Sequence, residues 1–244
     1  MSDEELKHLA NEVRKGIVTG VHAAKSGHPG GSLGATEIMT YLYFEEMNID
    51  PADPRRADRD RFVLSKGHTA PGLYSALAYR GFFPVSDLPT LRHADSYLQG
   101  HPNMNLVPGV DMSTGSLGQG VSCAAGMAKG AKYLNEDVNV YTLLGDGEIE
   151  EGQVWEAFMF AAHFKLDNLC VIIDINGLQI DGPTEKVMNS APVDAKMEAF
   201  GFNVVTIDGH DFDQIEGAFA AFRACTGKPT AILMHTTKGK GVKY

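Results

Sequence analysis

The chain is poor in cysteine, in clustered basic charge and in long apolar runs, and each shortage excludes a class of protein. Its three cysteines, Cys123, Cys170 and Cys225, lie far apart in apolar or helical contexts. They form neither a metal-ligand spacing nor a disulfide framework, so buried thiols in a reducing compartment are the plain reading. The formal net charge is −10 and no basic cluster stands out. Nucleic acid is therefore not an expected partner. No apolar run reaches the roughly 18 residues of a membrane helix. The first residues, MSDEELKHLANEVRK, are polar and acidic, unlike a signal peptide. The expectation is a cytoplasmic protein with no membrane partner. No internal repeat and no linker divides the chain.

What remains is ordinary soluble composition, 43% hydrophobic and 21% charged over 244 residues. That suits one large α/β domain covering 1–244. Apolar periodicity predicts helices over Glu4–Ala24 with Asp3 as N-cap, Ala35–Met47, Pro71–Tyr79, Val121–Tyr133, Val154–Phe164, Val193–Ala199 and Phe212–Ala224. Short β-branched runs predict strands over Arg61–Ser65, Val138–Leu144, Leu169–Ile175, Phe202–Ile207 and Thr230–His235. Residues 81–110 read as loop-rich.

The chain is organised around Leu143–Gly182. Two apolar runs there each end in a polar ligand: the first in Gly145-Asp146-Gly147, the second in Asn176. Read as parallel strands joined by a helix, they place Asp146 and Asn176 at carboxyl ends, where open α/β sheets bind ligands. A carboxylate and an amide oxygen are hard donors, suited to Mg²⁺ or Ca²⁺ completed by carbonyls, waters and phosphate oxygens. Gly145 and Gly147 leave room for a diphosphate beside the backbone, and the following helix offers its amides. An ordinary strand–turn–helix would explain GDG alone. Three histidines, His28, His68 and His101, each sit in a Gly-His turn at an expected strand end, where imidazole can donate to phosphate or relay protons.

Twenty-eight residues separate Gly147 from Asn176. GDG, that gap, then Asn resembles the thiamine diphosphate motif. The strings SGHPGGSLG, LSKGHTAPGLY, QGHPN, PGVDMSTGSLGQG, LGDGEIEEG and DINGLQIDG, in that order, resemble the diphosphate-binding half of the transketolase family. The resemblance implies a three-layer α/β/α domain with a mainly parallel sheet. It implies Mg²⁺, with Ca²⁺ or Mn²⁺ as substitutes, held by Asp146, Asn176 and the Leu178 carbonyl. It puts His68 and Gly147 on the diphosphate, Gly115 and Leu117 against the aminopyrimidine, and Ile180 on the thiazolium. His28 and His101 would face the reactive carbon and the donor sugar, and Glu151 would join a carboxylate network between subunits. Ser116 stands where many relatives carry proline, beside a backbone contact.

The family's pyrimidine domain, with its activating glutamate and most of its sugar-phosphate arginines, is absent from these residues. The implied reading is therefore a two-chain transketolase, with two copies of each chain, acting on sugar phosphates. Two alternatives stay open. One is another thiamine diphosphate enzyme resembling deoxyxylulose-phosphate synthase. The other is a non-catalytic paralogue that binds cofactor without turnover.

Overall fold

Helix α1 (Asp3–Ala24) opens the fold. Ser2, not Asp3, caps it, because its side chain accepts from the Glu5 amide while Glu5 reaches back to the Ser2 amide. The computed structural model, which describes residues 1–180 and 182–243, continues with α2 (Pro29–Gly34) and α3 (Thr36–Tyr41). The single helix expected over Ala35–Met47 is thus divided. A short helix already starts at Pro29 inside the glycine turn, and α3 widens into a π turn over Leu42–Glu46. Then follow β1 (Arg61–Leu64), α4 (Ala70–Arg80), a 3₁₀ segment at Val85–Thr90 in the loop-rich stretch, and α5 (Gln119–Leu134). The second half runs β2 (Val140–Gly145), α6 (Gly152–His163), β3 (Leu169–Ile175), the two-residue strands β4 (Leu178–Gln179) and β5 (Gly182–Pro183), and α7 (Thr184–Val187). It closes with α8 (Val193–Ala199), β6 (Asn203–Asp208), α9 (Phe212–Ala224) and β7 (Thr230–His235).

Five strands form one parallel sheet in the order β1-β2-β3-β7-β6. Its strands are apolar throughout because both faces are covered. Side-chain alternation sorts them. Phe62, Leu64, Tyr141, Leu143, Cys170 and Ile172 point into a core shared with α3, α4 and α9. Val63, Val140, Leu144, Val171 and Ile173 point into a second core under α5, α6 and α8. This is the expected α/β/α sandwich, and it leaves the carboxyl ends of β1, β2 and β3 side by side. Of the cysteines only Cys170 is buried; Cys123 and Cys225 are partly exposed, which corrects the expectation of three buried thiols.

Candidate active site

Over those three strand ends lies a cleft of about 540 Å³. Asp146 follows β2 directly, and its backbone N–H donates to the Asp174 carbonyl at 3.1 Å, so the sheet holds its position. The side chain is 3% exposed. Its Oδ2 accepts from the Gly177 N–H at 2.6 Å and its Oδ1 from the Gly147 N–H at 3.0 Å. Burial pushes this carboxyl above its usual range, and those backbone donors only partly offset the effect. Both oxygens keep lone pairs free of those donors, so a divalent cation would meet a favourable anion here.

Asn176 stands beside it at the end of β3. Its Nδ2 donates to Asp174 Oδ2 at 3.1 Å, which assigns the amide its orientation and turns Oδ1 the other way. Asp174 is fully buried and accepts from three groups: Asn176, the Lys66 ammonium at 2.6 Å and Thr236 Oγ1 at 2.5 Å. A buried carboxylate with a full set of donors is a rigid anchor. Among the described residues, no three His, Cys, Asp or Glu side chains are arranged to hold a metal. A cation here would therefore draw on one carboxylate, one amide, a carbonyl such as that of Leu178, and oxygens brought by a ligand. That donor set fits Mg²⁺ or Ca²⁺ and does not fit zinc.

The histidines do not all sit at strand ends. His68 does, in the turn after β1, whereas His28 precedes α2 and His101 lies in the long loop before α5. Tertiary folding gathers them. The His28 and His68 rings meet edge-on at 5.1 Å, and both line the cleft. His101 is exposed at the rim, where its ring would lie 3.0 Å from a Cβ placed on Gly115. Burial, reinforced by Lys66 and the neighbouring imidazoles, holds His68 down at about 4, so it is neutral near pH 7. Burial, then Arg92, lowers His28 as well.

Gly115 and Leu117 form the opposite lip. Gly115 has φ 150°, in the region that favours glycine. Buried Glu148 ties this lip to the strand ends, accepting from Ser65 Oγ at 2.5 Å, Gly118 N–H at 2.9 Å and Gly145 N–H at 3.2 Å. Gly147 and Leu178 line the floor. Ile180 is 93% exposed, an apolar side chain aimed into open space at the mouth. Glu151 is exposed as the residue before α6, outside the cleft wall. Sequence reasoning passed over Lys66, Glu148, Asp174, Gln179 and Lys238. Lys66 adjoins the singled-out Gly67-His68 pair, but nothing local marks Asp174 as the hub or carries Lys238 to a site 210 residues from His28.

An open parallel sheet with a carboxylate, an amide and imidazoles over its carboxyl edge defines a domain built to hold an anionic cofactor. The chain belongs to the transketolase family: the family's "Transketolase, thiamine diphosphate binding domain" matches residues 6–244. It is 45% identical to the 6-deoxy-6-sulfo-D-fructose transketolase subunit of Clostridium sp. (strain MSTE9), covering 100% of this chain and 90% of that protein. It is 42% identical to an apulose-4-phosphate transketolase subunit of Phocaeicola vulgatus, covering 100% and 86%. The solved transketolase of Leishmania mexicana superposes with a TM-score of 0.93 at 34% identity, over 99% of this chain but 38% of the longer one.

Proposed function

We propose that the protein is the diphosphate-binding subunit of a two-chain transketolase, moving a two-carbon ketol unit from a ketose to an aldose. The observation that carries this reading is the convergence of Asp146, Asn176, His68 and His28 on one cleft. Asp146, Asn176 and the Leu178 carbonyl would hold Mg²⁺ together with the diphosphate. His68 and the Gly147 backbone would meet the diphosphate. Gly115, Leu117 and Ile180 would give the organic rings an apolar seat, which explains why Ile180 is left uncovered. Bound there, thiamine diphosphate would supply the carbanion and the electron sink that let a carbon–carbon bond break and re-form. The chain's own part is to orient the sugar, exclude water and move protons. His28, exposed on the cleft wall with its pKa lowered, and His101 at the rim would take and return protons of the sugar hydroxyls.

Support for a second chain comes from two directions. The relatives named as subunits match this chain over 86–90% of their length, and the cleft leaves the apolar side chains of Leu117, Leu178 and Ile180 exposed. The test is ketol transfer from a ketose phosphate donor with Mg²⁺ and thiamine diphosphate, with and without a pyrimidine-domain chain. Turnover only in the mixture is expected. Robust turnover by this chain alone would overturn the two-chain reading, and release of CO₂ from pyruvate would favour a synthase of the deoxyxylulose-phosphate type.

A further inference from the structure

The segment after β7 packs against α2 and brings Lys238 to the cleft wall, where the lysine stem lies over Gly30. This stretch has no helix or strand of its own, so its hold on the fold depends on single contacts. The Gly239 N–H donates to the Gly30 carbonyl at 2.9 Å. Arg14 Nε donates to the Lys240 carbonyl at 3.2 Å. The Thr237 N–H donates to Nε2 of His210 at 2.8 Å. His210 comes from the turn between β6 and α9 and has no place in the reading above.

The ring of His210 is fixed from both ends. An acceptor Nε2 requires that the ring hydrogen sit on Nδ1, which faces Glu37 Oε2 at 3.0 Å. Glu37, almost fully buried on α3, also pairs with Arg14 of α1. Burial alone would push the Glu37 carboxyl up, but the hydrogen bond from His210 and the Arg14 guanidinium outweigh it and hold it low. One buried carboxylate therefore aims two groups, His210 and Arg14, and each of them grips the backbone of the same segment after β7. Four elements (α1, α3, the β6–α9 turn and the segment itself) meet at this point.

We propose that His210 is a positioning residue for cofactor binding: through Glu37 and Thr237 it locks the 236–241 segment and so holds the Lys238 ammonium over the diphosphate end of the cleft. The inference rests on the cleft being the thiamine diphosphate site. An unheld segment would let Lys238 spend much of its time in solvent, and its attraction for a diphosphate would fall with its occupancy of the cleft.

Two substitutions separate positioning from a merely structural role. His210→Asn keeps a donor at the Nδ1 position for Glu37 but cannot reach Thr237. His210→Gln places an amide oxygen near the Nε2 position and can still accept from Thr237. Hydrogen exchange over 236–242 is measured in the cofactor-free chain, and thiamine diphosphate affinity by calorimetry in the assembly with the pyrimidine-domain chain at fixed Mg²⁺. His210→Asn should speed exchange and weaken affinity roughly 3- to 10-fold, the size of one lost hydrogen bond, and His210→Gln should restore most of both. Combined with Lys238→Ala, His210→Asn should add almost nothing to the affinity loss. Unchanged exchange and affinity in His210→Asn, or full additivity with Lys238→Ala, would overturn the role of His210. Failure of the unaltered assembly to bind thiamine diphosphate would overturn the reading of the cleft itself, and the positioning role with it.

Discussion

Asp146 has two backbone N–H groups as hydrogen-bond partners and a pKa raised by burial, so a cation beside it would stabilise its charged form. Asp146→Ala should lower Mg²⁺-dependent thiamine diphosphate affinity by more than about 100-fold, and Asn176→Ala by less, since only the first removes charge. Calorimetry reads both, and an unchanged affinity in Asp146→Ala would remove the metal from this position. His68 yields a pH prediction. Folded, it takes up a proton only near pH 4, against an ordinary 6.5. Between those values the unfolded chain binds more protons, so stability falls as pH drops through that window. His68→Gln lacks this loss and should retain on the order of 2 kcal/mol more of its neutral-pH stability at pH 4 than the unaltered chain does. Urea midpoints of the two cofactor-free proteins at pH 7 and pH 4 decide it; parallel losses would show that His68 is not held down.

Helix α5 shows how element packing sets the site. The loop that leads into it carries the Gly115–Gly118 lip, and the helix can approach the end of β1 because Gly120 has no side chain: a Cβ there would lie 2.6 Å from the Cα of Ser65. Gly120→Val should therefore cost about 1–3 kcal/mol in thermal unfolding. Gly126 on the same helix has nothing within 4 Å, and Gly126→Ala should be neutral or gain up to about 1 kcal/mol in the isolated chain. Equal effects at both positions would sink the packing argument. The regular elements were legible from periodicity: α8, α9 and β7 run as read, because their apolar spacing is long or dense enough to carry its own signal. Helix α2 was not, since PGGSLG reads as a turn and is helical only because Pro29 starts it and the buried Ser32 and Leu33 pack it down. The β4–β5 hairpin was missed for the same reason, being two residues a side.

At the scale of the molecule, α5 and α6 each present large apolar side chains on their outward faces. Tyr133 is 79%, Met159 55% and Phe160 38% exposed. No helix is long and apolar enough to cross a membrane among the described residues, and such a face is suited to an intersubunit contact. Phe160→Glu combined with Met159→Glu should reduce the mass of the assembly by light scattering while leaving the circular dichroism of the chain unchanged. An unaltered mass would exclude this face from the interface.

The linear pattern by itself determined a parallel α/β sheet, because buried apolar runs of strand length with helices between them suit one whose two faces are covered, while the three layers came with the family resemblance. It also determined the metal and diphosphate candidates Asp146, Asn176 and Gly147, since those residues sit where strands end and their chemistry is local. Tertiary structure alone decided which distant groups serve them. Asp174 became the hub only when β1, β3 and the end of β7 came together in register and delivered Lys66, Asn176 and Thr236 to one carboxylate. Lys238 reached the cleft, and His210 reached Thr237, through contacts between residues that are far apart in the chain or belong to different elements. No spacing rule covers such contacts, because packing of the two cores, not chain connectivity, sets their distance.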